Sequence, residues 1–277
     1  MSEKIAYLGP TGTFCEEAAR RYSRQPTTLV PYRSIESVFL AVHKGEAESG
    51  IVPIENSCEG AVNQTLDLLT SEYQVKISGD LILPVNHNIM LRPGVNTSDV
   101  TCVLSHPQAL AQCHQYISNH LPQAAILEVA STAEAARQVA LSAEPWAAIG
   151  NRGAAAAFGL DIGQAAINDI PNNKTRFIVL VREDSKEHVR TGKCKTSLLI
   201  YLADQPGSLF HVLQEFYVRN INLTKIESRP TRAKIGDYLF FIDIEGHRLE
   251  EHINESLQSL SSLCPAVRVL GSYPTAM

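Results

Sequence analysis

Along the first two thirds of the chain, short apolar runs alternate with longer stretches whose apolar positions recur at helical spacing. IAYL (5–8), IVPI (51–54), CVL (102–104), ILEV (126–129) and AAI (147–149) are each followed by a turn and a helical pattern. That rhythm predicts strand-helix units with largely parallel strands, an α/β fold. Helices are expected from Thr13 and over 61–70. VKISGDLILPVNHNIMLRP (75–93) has no helical spacing and reads as strands crossing between two bodies. A single sheet would not need that excursion, so two α/β lobes are predicted.

The last third has a different rhythm. TSLLIYLA (196–203), a turn at Asp204 to Gly207, a helical pattern to Asn220, LTKIESR (223–229), YLFFIDIEG (238–246), a helix at 249–262 and AVRVLG (266–271) give the order βαββαβ. This is the ferredoxin-like plan, whose open sheet edge is suited to pairing with a second copy. Between the two rhythms lies REDSKEHVRTGKCK (182–195), charged and turn-forming. A linker is therefore placed over 183–195, between a first unit at 1–182 and a second at 196–277.

Composition narrows the classes of function. The 277 residues suggest two domains at roughly 150 residues each. With 44% apolar and 19% charged residues the chain can bury a sizeable core. Lys and Arg total 24 against 29 Asp and Glu, and no dense basic run occurs, so nucleic acid is not an expected partner. The six cysteines are scattered without a CxxC or a Cys/His cluster, which argues against a zinc site and a disulfide scaffold. The opening residues lack a signal-peptide core, and no stretch reaches the roughly 18 apolar residues of a membrane span, so a cytoplasmic protein without a membrane partner is expected.

Candidate chemistry collects at strand ends. Thr13 with Glu16, Ser105 with Gln108, and Ser131 with Glu134 have the spacing of capping boxes. Helix N-termini at the carboxyl edge of parallel strands present amides and a positive dipole end, which predicts a small carboxylate-bearing ligand. GPTGTF (9–14) would let backbone approach that ligand, although its spacing matches no nucleotide loop. PIENS (53–57) places Glu55 and Asn56 just after a strand. SHPQAL (105–110) sets His106 in the first turn of a helix, where the dipole favours neutral imidazole. NNKTRF (172–177) puts Thr175 and Arg176 at the start of an apolar strand, and the guanidinium fork matches a carboxylate. No GxSxG elbow, metal-ligand set or cofactor loop accompanies these residues.

GPTGTF, PIENSCEGAVNQTLDLL, SHPQAL and INDIPNNKTRF, in this order and at these separations, resemble the prephenate dehydratases over roughly residues 4 to 182. PGSL (206–209) and NLTKIESRP (222–230) resemble the ACT regulatory domain that follows the catalytic domain in that family. The resemblance implies a two-lobed, periplasmic-binding-protein-like catalytic domain with its site in the cleft. It implies conversion of prephenate to phenylpyruvate, water and carbon dioxide without metal or cofactor. It also implies feedback by L-phenylalanine at paired ACT domains, hence a homodimer or homotetramer.

The family's essential threonine falls on Thr175, its Glu-Asn pair on Glu55 and Asn56, and its histidine motif on His106. Substrate contacts are expected from Thr11, Gly12, Thr13, Phe14, Asn56, Ser57, Arg176 and Phe177. Phenylalanine contacts are expected from Gly207, Ser208, Leu209, Asn222, Leu223, Thr224, Glu227 and Ser228. The chain departs from common forms of the pattern at Ser208, in IGNRGAA (149–155) and at Gly236. No chorismate mutase segment precedes Met1, which implies a monofunctional enzyme. Thr175 is expected to hydrogen-bond the departing hydroxyl, with the proton source open between Glu55, His106 and water.

Overall fold

The computed structural model describes residues 3–23, 26–186, 192–230 and 238–275. The middle of the expected linker and Gly236 lie outside the described residues. The first lobe runs β1 (Glu3–Leu8), α1 (Phe14–Tyr22), β2 (Thr27–Tyr32), α2 (Ile35–His43), β3 (Ser49–Asn56), β4 (Gly60–Ala61), α3 (Asn63–Leu69) and β5 (Val75–Pro84). The chain then crosses to the second lobe as β6 (Asn88–Leu91), β7 (Cys102–Ser105), α4 (Pro107–Ala111), α5 (His114–His120), β8 (Ala125–Glu128), α6 (Thr132–Leu141), β9 (Trp146–Gly150), α7 (Arg152–Phe158) and β10 (Asp161–Gln164). It returns as β11 (Lys174–Arg182) into the centre of the first sheet, whose order is β2-β1-β3-β11-β5 with β4 on β3. The second sheet is ordered β10-β6-β9-β7-β8.

The two lobes and the crossing segment at 75–93 are as the hydrophobic rhythm suggested. Strand sense is more mixed. β1 pairs in parallel with β2 and β3, and β7 with β8 and β9. β11, however, is antiparallel to both neighbours, and β6 is antiparallel to β9 and β10. The crossing itself explains this: β5 leaves the first lobe where β11 re-enters it, so adjacent strands run in opposite directions. β2 was not foreseen, because its TTLVPY sequence is half polar and holds Pro31. At the sheet edge that proline is tolerated, since no further strand needs its amide.

The crossing segments are bonded to one another. Val85 N donates to Asn173 O at 2.8 Å, Ile167 N to His87 O at 2.9 Å, and His87 N to Asn168 Oδ1 at 2.7 Å. These bonds tie the outgoing and returning segments together between the lobes.

The last unit is β12 (Cys194–Leu202), α8 (Ser208–Tyr217), β13 (Leu223–Pro230), β14 (Tyr238–Glu245), α9 (Glu251–Leu263) and β15 (Ala266–Pro274), with sheet order β13-β14-β12-β15. It has the βαββαβ order read from sequence, and its sheet does not stand alone. One face carries α8 and α9. The other packs on the first lobe, where Leu199, Leu239, Phe241, Leu270 and Tyr273 share a core with Phe39, Ile77, Ile178 and Leu180. β15 lies so close to β5 that a Cβ on Gly271 would overlap the Ile77 carbonyl. Burying that shared apolar face at roughly 25 cal/mol per Å² makes the two units one folded body.

Candidate active site

Side chains alternate along a strand, so neighbours in sequence face opposite ways. β3 and β11 pair with Thr175 opposite Asn56 and Arg176 opposite Glu55. One strand end therefore carries Thr175 and Asn56 on its cleft side and Arg176 and Glu55 on its far side. A bulge follows directly, since Phe177 lies opposite Pro53 and Ile54 is the extra residue. Bulges of this kind add twist and re-aim the side chains beside them.

On the cleft side, Asn56 organises the site. Its Oδ1 accepts the amides of Cys58 at 2.9 Å and Glu59 at 3.1 Å, which fixes the amide's orientation. Its Nδ2 must then be the donor, and it reaches Thr175 Oγ1 at 2.8 Å and Asn173 Oδ1 at 3.0 Å. Because Thr175 accepts from Asn56, its own hydroxyl proton is left to point elsewhere. Ser57 joins the cluster, donating to Asn173 Oδ1 at 3.2 Å and accepting from the Lys174 amide at 2.9 Å.

The network continues into the second lobe. Asn173 Nδ2 donates to Gln112 Oε1 at 3.0 Å, and His87 Nε2 lies 3.3 Å from the same oxygen. An amide oxygen only accepts, so His87 carries its proton on Nε2. Its ring is 3% exposed and meets the Phe14 ring edge-on at 5.7 Å. Burial pushes the imidazole pKa down to about 4, with the Gln112 bond opposing weakly, so His87 is neutral near pH 7. Its Nδ1 is buried without a hydrogen-bond partner among the described residues. His87 and Gln112 were not foreseen, and no spacing or motif in the sequence marks either one.

Several expected contacts are corrected. Arg176 does not clamp a substrate carboxylate: Nε donates to Asp80 at 2.8 Å, Nη1 to Asp243, and Nη2 to Tyr273 Oη at 3.0 Å. Burial opposes its charge, but Tyr273, Asp243 and Asp80 outweigh that, and its pKa ends above the ordinary arginine value. Tyr273, fully buried, has its own pKa raised and stays protonated. Glu55 faces the same way as Arg176 and pairs with Lys225 of β13 at 3.0 Å, which removes it from the proton-donor position. Phe177 is 1% exposed, in the core beneath α1 with Tyr7, Cys15 and Leu83.

The glycine loop also differs from expectation. Gly12 is at φ +88°, and a Cβ added there would come within 3.0 Å of the Ala154 α-carbon of α7, so the close approach is made by the second lobe. Its amide is taken by the Glu16 carboxylate, an anion the chain supplies itself. Thr13 is the N-cap of α1, accepting from Glu16 N at 3.3 Å and donating to Leu8 O at 3.2 Å. Thr11 remains exposed, 3.3 Å from Tyr7 Oη. Across the cleft, Asn151 caps α7 and donates to Glu17 of α1 at 3.3 Å, linking the lobes.

Ser131 caps α6 as expected, but the helix after β7 begins one residue late. Ser105 is turned inward, donating to Ile149 O at 2.7 Å. His106 takes its place as N-cap, with Nδ1 accepting from Gln108 N at 3.3 Å. Among the described residues, no hydrogen bond joins His106 to the Thr175 network.

A cavity of about 770 Å³ opens farther along the cleft between Gly9, Pro10, Thr13 and Arg33 on one wall and Ala130, Ser131 and Glu134 on the other. Thr175 and Asn56 do not line it. In the last unit, a smaller cavity of about 140 Å³ lies beside the N-terminus of α8, lined by Leu202, Ser208, Leu209, Tyr238 and Phe240 among others. Gly207 precedes that helix at φ +87°, where a side chain would be strained. Among the described residues, no helix is long and apolar enough to cross a membrane.

Known proteins match this architecture over nearly its whole length. The family model for prephenate dehydratase matches residues 5–185, and that for the ACT domain matches 196–262. A bifunctional chorismate mutase/prephenate dehydratase of Aquifex aeolicus is 41% identical over 99% of this chain and 74% of its own length. A prephenate dehydratase of Arthrobacter aurescens, solved in complex with L-Phe, superposes with a TM-score of 0.89 at 36% identity, covering 99% of this chain and 90% of that one. GqqA, described as a novel type of quorum quenching acylase, superposes at 0.90 with 28% identity over 99% of this chain and 98% of its own. The two matched models together span the catalytic and regulatory units in order, and the chain belongs to the prephenate dehydratase family, in the form that carries an ACT domain.

Proposed function

We propose that Thr175 is the centre of a prephenate dehydratase site, and that L-phenylalanine controls it from the ACT unit. Prephenate loses its ring carboxylate as carbon dioxide. The electron pair of that bond moves into the ring as the bond to the hydroxyl breaks, and one proton leaves with the hydroxyl as water. The ring's aromaticity drives the change, so the protein's task is to hold the dianion and assist the leaving oxygen. The observation that carries this reading is the Asn56–Thr175 bond, which leaves the Thr175 proton free for that oxygen. Such a positioned donor contributes ~100-fold or more in rate. With Glu55 turned to Lys225, the net proton is supplied by water or by His106.

The same bond weighs against an acylase role for Thr175. A nucleophilic hydroxyl needs a base to take its proton, and Asn56 offers Thr175 a donor instead. For control, the cavity at the start of α8 is lined by two of the expected effector residues, Ser208 and Leu209. Thr224 and Ser228 lie exposed on β13, an edge strand of the ACT sheet, and Asn222 is exposed just before it. A second copy seated on that edge would bring the two sets of residues together, which supports a homodimer or a larger homo-oligomer. A prephenate turnover assay with and without L-phenylalanine tests both parts. Phenylpyruvate formation suppressed by phenylalanine is expected, and failure to consume prephenate removes the catalytic reading.

A further inference from the structure

The ACT sheet touches the back of the catalytic strand pair through two ionic contacts of different character. The first is the Arg176 cluster with Asp80, Asp243 and Tyr273, where every partner is buried. The second is the single pair of Lys225 and Glu55 at 3.0 Å, in which the lysine side chain is 8% exposed and the carboxylate 41%. A buried cluster is stiff, because separating its members strands charge out of water. A pair with one wet end is soft, since the released carboxylate is already partly solvated.

Lys225 sits where two roles meet. On β13, Thr224, Ile226 and Ser228 are exposed on one face, whereas Lys225 and Arg229 alternate onto the face toward the first lobe. Arg229 pairs there with Asp67 of α3. The expected effector residues Thr224 and Ser228 therefore lie one and three positions from Lys225 on a continuous strand. On the other side of the ion pair, Glu55 is bonded in sequence to Asn56, whose amide orients Thr175.

We infer that Lys225 is a positioning residue lent by the ACT domain to the catalytic site, and that phenylalanine acts on turnover by changing the Lys225–Glu55 contact and with it the Asn56–Thr175 bond. The inference rests on the dehydratase reading and adds the contact through which regulation passes. An effector shifts an equilibrium only by contacts that differ between two states, and this soft pair, which ends on the residue beside Asn56, can differ while the Arg176 cluster holds the domains together.

The test uses the full chain, with prephenate turnover and calorimetric phenylalanine binding measured on the parent, Lys225→Met, Lys225→Arg and Glu55→Gln. Lys225→Met is expected to bind phenylalanine within about threefold of the parent. Its coupling between effector and turnover should fall below about twofold, from the roughly 5-fold to 150-fold typical of allosteric pairs. Lys225→Arg should restore inhibition, because it keeps the charge. Glu55→Gln should lose coupling as Lys225→Met does, and the double variant should lose no more, since both changes remove one interaction. Variants inhibited as strongly as the parent overturn the inference while leaving the dehydratase reading intact. A parent that does not convert prephenate overturns both.

Discussion

The two faces of the β3–β11 strand end share a backbone and differ in almost everything else. The cleft face carries Thr175, Asn56, Asn173 and Gln112, neutral groups joined by hydrogen bonds of 2.8 to 3.0 Å. The opposite face carries Arg176 and Glu55, charged groups gripped by another domain. Neutral amides suit a site that receives a dianion, because they can orient a hydroxyl without adding like charge. Buried ion pairs suit a joint that must not slip, because breaking one is costly. Strand alternation lets one dipeptide, Thr175-Arg176, serve both purposes, and it sets Glu55, the residue of the proposed regulatory contact, one peptide away from the Asn56 that orients Thr175.

The largest expected effect is on the joint. Arg176→Leu leaves Asp80 and Asp243 buried near one another without their shared cation, which should cost ~3–5 kcal/mol in unfolding stability. Lys195, 3.5 Å from Asp80, offsets part of that repulsion. Arg176→Lys should recover little, since an ammonium cannot span three partners in one plane. Urea unfolding of both variants reads the result. A loss below ~1 kcal/mol would mean the far face is not structural, and the contrast between faces would fail.

Next is the cleft face, where the effect should appear in rate and not in stability. Thr175→Ala removes the hydroxyl from a partly exposed position and should lower kcat by ~100-fold or more. The urea midpoint should move by less than ~1 kcal/mol equivalent. Thr175→Ser, which keeps a donor for the same oxygen, should recover part of the rate. Near-normal phenylpyruvate formation by Thr175→Ala would remove Thr175 from the mechanism.

Much of this was legible in the chain, and the limits have physical causes. Apolar periodicity reports which face of an element is buried, so the lobes and the βαββαβ unit could be read. It does not report what covers that face. Arg176 beside Thr175 looked like a carboxylate fork because nothing local announces that Asp243, 67 positions away, will reach it. Tyr273 was missed for a related reason: the strand was read only to Gly271, while β15 continues to Pro274 on the strength of its pairing with β12. A Ser-x-x-Gln spacing suggested Ser105 as a cap, yet Pro107 is pre-set for the first helical position and moves the cap to His106. Thr175 and Asn56 drew notice as polar groups at strand ends, but their site roles came from the motifs that resemble the prephenate dehydratases, because polar groups at a strand end are by themselves often structural.

His87 had no such signal, and it allows the comparison to be sharpened by acid. In an unfolded chain its imidazole titrates near 6.5, whereas burial holds it at about 4 in the fold. Between those values the unfolded state takes up a proton that the folded state refuses. Stability is therefore full above pH ~6.5 and is lost progressively as pH falls toward 4. From pH 7 to pH 5 this one group should cost ~2 kcal/mol. His87→Gln can still donate toward Gln112 Oε1 and does not titrate, so the parent's excess loss over that interval should vanish in the variant. Equal pH slopes for parent and variant would show that His87 is solvated in the fold. The expected difference places acid sensitivity on the cleft side of the β3–β11 pair, where hydrogen bonds to neutral groups hold the site.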